Sequence, residues 1–150
     1  MIRITTAALA LVAGPALADA HLPATGDAEA GEAAFRQCQS CHVVVNEEGE
    51  TLAGRAAKTG PNLYGIAGNL AGQVEDFRYS DIIVLAGEQG HMWTEENFVA
   101  YVQDPTGHLR EVTGDNGRGK MSYKVRKEED AVNLYAFLAQ YGEEEAEATN

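Results

Sequence analysis

The chain has 150 residues, with 23 acidic against 11 basic side chains and a formal charge of −12. That length fits one domain, and the acidic balance excludes a nucleic-acid binder, which needs a basic face to neutralise phosphates. Two cysteines exclude a disulfide-rich scaffold, and no apolar run approaches the ~20 residues of a membrane-spanning helix.

Residues 1–20 read as a secretory signal peptide. Arg3 supplies the positive charge, Ile4 to Val12 the apolar run, and Ala16-Leu17-Ala18 and Ala18-Asp19-Ala20 the small-residue cleavage triplets. The mature chain is expected to start near Asp19 or His21, in a bacterial periplasm. Asp27 is a candidate N-cap, and Ala28, Gly31, Phe35 and Cys38 share one face of a helix predicted over 28–40. Residues 43–59 read as a loop, Gly60-Pro61-Asn62 as a turn, and 63–79 as glycine-punctuated chain without helical period. A short helix is predicted from Ser80 or Asp81 to Ala86, ended by Gly87. Thr94 caps the next, with Phe98, Tyr101 and Val102 on one face, and Asp104-Pro105 stops it. Residues 106–120 read as a loop. The last helix is predicted over 128–141, with Ala131, Leu134, Leu138 and Tyr141 on one face, ended by Gly142. Residues 143–150 form an acidic tail expected to be disordered. The domain is thus 21–142 and the class all-α, with no strand period. Loops this long bury little of their own and call for a further core to wrap.

Both cysteines lie in Cys38-Gln39-Ser40-Cys41-His42, the attachment pattern of a c-type haem. Cysteines at i and i+3 leave one side of a helical turn, so two thioethers can hold one porphyrin, and the adjacent His42 can reach the iron. Three other readings fit less well. A thioredoxin-type disulfide expects a βαβ context that is missing. A closed structural zinc site usually takes four Cys/His ligands at paired spacing, and no second cysteine pair exists while His21, His91 and His108 are scattered; a plain disulfide across one helical turn is geometrically poor. For the sixth iron ligand the candidates are Met92, Met121, His21, His91 and His108. Met92, beside Trp93, reads as apolar filler. Spacing favours Met121, at the end of a glycine-rich loop, and leaves a histidine open; both ligand pairs are known types.

Taken together, these residues resemble the class I c-type cytochromes, and within them the bacterial cytochrome c2 and c550 proteins, from about Gly26 to Tyr141. Besides the haem motif, the resemblance rests on Gly31 and Phe35 with Leu134 and Phe137, on Thr59-Gly60-Pro61-Asn62-Leu63-Tyr64-Gly65, on Tyr101-Val102-Gln103-Asp104-Pro105, and on Gly119-Lys120-Met121. It implies crossing N- and C-terminal helices and long loops wrapped around one covalent haem. It implies Met121 as axial ligand opposite His42, the Pro61 carbonyl as acceptor from the axial histidine, Tyr79 and Trp93 at a haem propionate, and Tyr101 near the ligand sulfur. Asn69 stands where many relatives have an arginine beside a propionate, and Tyr123 where phenylalanine is frequent.

The function so implied is a soluble, monomeric, periplasmic one-electron carrier rather than an enzyme. Cytochrome bc1 would be its donor, and a photosynthetic reaction centre or a terminal oxidase its acceptor. A bound haem subunit of a larger redox complex, and an open-iron sensor or enzyme, are the other readings. Arg118, Lys120, Lys124, Arg126 and Lys127 fall within ten residues that hold no acid, while the rest of the mature chain carries −17. That asymmetry marks a docking patch for acidic partners, beside the candidate ligand.

Overall fold

Helix α1, Ala28–Phe35, starts where Asp27 accepts a hydrogen bond from the Ala30 amide at 3.0 Å, with Glu29 in its first turn. The computed structural model describes residues 24–141; the signal peptide expected over residues 1–20, His21, Gly142 and the 143–150 tail lie outside the described residues. The chain continues through strands β1 (Val43–Val45) and β2 (Thr51–Gly54), then helices α2 (Asp81–Glu88), α3 (Glu95–Gln103), α4 (Pro105–Thr113) and α5 (Glu128–Ala139). Among the described residues no helix is long and apolar enough to cross a membrane.

The main frame is α1 packed on α5. An added Cβ at Gly31 would lie 2.0 Å from the Asn133 carbonyl oxygen and 2.7 Å from Phe137 Cβ. The two helices therefore touch backbone to backbone at a point where only glycine fits. Beside it, Phe35 and Phe137 stack with ring centres 5.3 Å apart, and Phe35, Leu134 and Leu138 are almost wholly buried. Helix α5 also packs on α3, where Phe98 meets Tyr135 with ring centres 5.5 Å apart. Tyr135 donates to the Trp93 carbonyl at 3.0 Å, which satisfies a hydroxyl inside the core.

Four expectations change. Helix α1 ends at Phe35 rather than Ser40, because Cys38 and Cys41 bond back three residues, to Phe35 and Cys38, in successive tight turns. Residues 43–54, read as loop, form an antiparallel hairpin with Val43 opposite Gly54 and Val44 opposite Ala53, bulged between Val44 and Val45. Three β-branched valines favour extended backbone, and a three-residue strand is too short to display alternation. The polar tip is folded on itself: Asn46 Oδ1 accepts from the Glu50 amide at 2.7 Å.

Residues 106–113, expected as the start of a loop, form helix α4 together with Pro105. Asp104-Pro105 does stop α3, but Pro105 is also the first residue of α4, where its fixed φ suits a helix start and its missing N–H costs nothing. Gly114, at φ 71°, ends α4. Lastly, Gly87 does not end α2. It lies buried inside the helix, where a Cβ would sit 2.0 Å from the Ala71 carbonyl oxygen, and the chain turns at Gly90 instead.

The α1–α5 contact predicts that Gly31→Ala forces these helices apart. A loss of about 3 kcal/mol is expected, at the upper end of ordinary overpacking costs, read as a lower guanidinium midpoint by far-ultraviolet ellipticity.

Candidate metal centre

The Cys38–His42 segment leaves α1 through tight turns and arrives at β1. His42 is held by both neighbours. Its Nδ1 lies 3.0 Å from the Pro61 carbonyl oxygen. A carbonyl only accepts, so Nδ1 carries the hydrogen and Nε2 keeps its lone pair. Gly60 lies flat against the ring: a Cβ there would sit 2.4 Å from His42 Cε1. Burial lowers the proton affinity of the ring, partly offset by the bond to Pro61. The imidazole is thus neutral at pH 7 and is built to ligate.

Why the 60–63 turn stays in place is visible in the hairpin. Asn62 accepts from the Val45 amide at 2.9 Å and donates to the Val45 carbonyl at 2.7 Å, and its Oδ1 also accepts from the Tyr64 amide at 3.2 Å. The Leu63 amide donates to Val43 at 2.8 Å, and the Gly60 amide to Cys41 at 2.7 Å. The strand missed in the sequence therefore holds the carbonyl that orients His42. In the sequence Asn62 stands within the Thr59–Gly65 motif without an evident task; its spacing to a valine run is the signal that points to this role.

His42, Cys38 and Cys41 open onto a cleft of ≈ 740 Å³, within the ~300–1,000 Å³ usual for cofactor sites. Its deep walls are apolar: Phe35, Ile83, Phe98, Val102, Leu134 and Leu138. Burial, with the Cys41 charge second, pushes the Cys38 thiol up to about 11. A thiol held protonated at pH 7 is a poor redox nucleophile, which argues against thioredoxin-like chemistry. Two half-buried cysteines, one neutral imidazole with a free Nε2 and an apolar cleft match the donor set and shape of a covalent haem.

Met121 lines the same cleft. Its loop is tied down on both sides. Gly119 donates to Thr106 Oγ1 at 3.2 Å, Lys120 Nζ to the Arg78 carbonyl, and Val125 to the Val102 carbonyl at 2.8 Å. The other sixth-ligand candidates differ. His91, His108 and Met92 are not among the residues lining the cleft, and Met92 is 43% exposed rather than core filler. Tyr79, Trp93 and Tyr101 all line the cleft, Trp93 and Tyr101 with ring centres 4.8 Å apart. Burial, with Tyr79 nearby, raises the Tyr101 hydroxyl far above its ordinary range, so it remains a donor. Asn69 also lines the cleft and donates to the Gly65 carbonyl. Arg118, Lys120, Lys124, Arg126 and Lys127 are all exposed; Lys124 pairs with Asp104 at 2.7 Å, both side chains 57% exposed, a pair of little energetic weight.

Asn62→Ala removes the clamp on Val45. It is expected to cost about 2 kcal/mol, the scale of leaving buried backbone groups unpaired, and to speed amide exchange at Val45 while α5 stays protected. Exchange by NMR checks both.

No protein-family model matches the chain. Among curated proteins it is similar to cytochrome c2 of Rhodovulum adriaticum, 63% identical over 119 residues, 79% of this chain and 94% of that protein. Cytochrome c2 of Cereibacter sphaeroides is 51% identical over 141 residues, 93% of this chain and 94% of that protein. Among solved structures, cytochrome c2 from Rhodobacter sphaeroides superposes with a TM-score of 0.76 at 55% identity, covering 77% of this chain and 96% of that one. Identity at this level over nearly the whole relative carries the family with it: the chain belongs to the cytochrome c2 family of class I c-type cytochromes, electron carriers with one covalently bound haem c.

Proposed function

We propose that the protein is a diffusible periplasmic one-electron carrier, exported by residues 1–20, with His42 and Met121 as the two axial ligands of its haem iron. The observation that carries the ligand pair is that His42 and Met121 line one apolar cleft, while His91, His108 and Met92 do not. Bound through Cys38 and Cys41, the haem supplies reversible one-electron exchange between Fe(III) and Fe(II). The chain's residues do the rest. Pro61 orients His42. The Met121 thioether, soft and uncharged, favours the reduced state and raises the potential. The apolar walls exclude water and make excess charge costly. Tyr101 would donate toward the ligand sulfur, and Tyr79 and Trp93 would hold a propionate. Held by two strong ligands, the iron would have no open position, as suits a carrier and not a sensor or enzyme.

The oxidised protein is expected to show the methionine–iron charge-transfer band, and the reduced protein to refuse carbon monoxide. Met121→Leu should lose the band and bind carbon monoxide. Ready carbon monoxide binding by the native protein would sink this reading.

Partners follow from charge. Lys120, Lys124 and Lys127 stand with Arg118 and Arg126 beside the Met121 loop, on a chain that is otherwise strongly acidic. This patch suits brief docking on acidic membrane complexes, with cytochrome bc1 as donor and a photosynthetic reaction centre or terminal oxidase as acceptor. Steering of this kind raises association rates by roughly 10–10³ and fades with salt. Replacing the three lysines by glutamine should lower the oxidation rate of reduced protein by source membranes at least tenfold at low salt and flatten its salt dependence. An unchanged rate and slope would refute docking through this patch. A light flash separates the acceptors: oxidation after the flash points to a reaction centre, oxidation in darkness under air to an oxidase.

A further inference from the structure

Away from the cleft, a second pair of side chains meets in a way the electron carrier does not use. His91 lies in the α2–α3 connection, fixed by its own amide to the Ala86 carbonyl at 2.9 Å and by its carbonyl to the Ala71 amide at 2.9 Å. His108 lies on α4 and is 9% exposed. Their Nε2 atoms face each other at 3.2 Å, with ring centres 5.0 Å apart.

That geometry is bent. A straight N–H···N bond at this separation would hold the ring centres roughly 5.5 Å apart. Two imidazoles aimed at one ion ~2.05 Å from each nitrogen, opened near the tetrahedral angle, would hold their nitrogens about 3.3 Å and their ring centres about 5.2 Å apart. The observed pair, at hydrogen-bond distance with ring centres 5.0 Å apart, lies nearer the second arrangement. We propose that His91 and His108 form a metal site separate from the haem, taking one imidazole-favouring divalent ion, zinc in the first instance, with solvent completing its shell.

The surroundings suit a cation. Burial and mutual proximity hold His91 below its ordinary proton affinity; burial does the same for His108, against the pull of Glu111 one turn further along α4. Both rings are therefore neutral at pH 7 and each can present a lone pair. Glu111 adds negative charge beside the pair. Trp93 and Tyr101 close the inner side, with ring centres 5.4 Å from His91 and 6.5 Å from His108 respectively, and half-buried His91 leaves solvent a way in. The site would clamp α4 to the α2–α3 connection.

The test is zinc titration of the native holoprotein at pH 7.5 against a chromogenic chelator, beside the variants His91→Gln, His108→Gln and His21→Gln. One zinc per chain is expected, weakened by roughly tenfold or more in each of the first two variants and kept in His21→Gln. Nitrogen NMR of the reduced wild-type protein gives a readout that does not depend on variant folding: one equivalent of zinc should shift Nε2 of His91 and His108 together. Zinc that shifts neither ring or only one, or binding kept in His91→Gln or His108→Gln, overturns the proposal.

Discussion

One hydrogen bond, from His42 Nδ1 to the Pro61 carbonyl, sets the chemistry that the rest of the structure serves. It decides the tautomer, and with it which nitrogen faces the cleft. The bond needs a carbonyl held still on the far side of the ring. Gly60 lets the backbone come close enough, and Asn62 ties the turn to β1. The hairpin, small as it is, is thus part of the candidate metal centre.

The cleft itself is closed by packing between distant parts of the chain. Gly31 brings α1 onto α5, which places Phe35, Leu134 and Leu138 along its inner wall. Helix α3 adds Phe98, Tyr101 and Val102, and the loop after α4 adds Met121. Loops that bury little of their own are accounted for by the haem of the family: the apolar faces that converge here enclose a cofactor as much as each other. On the proposed function, the acidic surface and the basic stretch beside Met121 would suit brief encounters, since exposed charges steer encounters more than they hold complexes.

Helix α4 is where the chain departs from a minimal design. It begins at a proline that ends α3, rests on Pro105, His108 and Leu109, and anchors the Met121 loop through Thr106. Its contact with the α2–α3 connection runs through two histidines, an unusual choice for a buried seam, where a polar pair must satisfy itself or hold something between. Trp93 and Tyr101 lie between that seam and the cleft, so α4 and the haem wall share one aromatic layer.

The haem motif was legible outright, because Cys-x-x-Cys-His joins three reactive groups at a spacing that little else needs. The long periodic helices were legible too: Asp27 and Thr94 cap where their side chains promised, and the Ala131, Leu134, Leu138 face is buried in α5. Local order decides such features, through caps and periodic burial within one segment. What only the tertiary structure decided were elements whose reason lies elsewhere in the chain. The Val43–Val45 strand is too short to show alternation and exists because it pairs with β2 and holds Asn62. Helix α4 hides behind a proline that reads as a stop and serves as a start. Gly87 reads as a helix end, yet it lies inside α2 because Ala71 packs there. Of five candidate sixth ligands, spacing along the chain could only favour one. Which side chains share a cleft with His42 depends on contacts across more than seventy residues, and these exist only once the chain has closed.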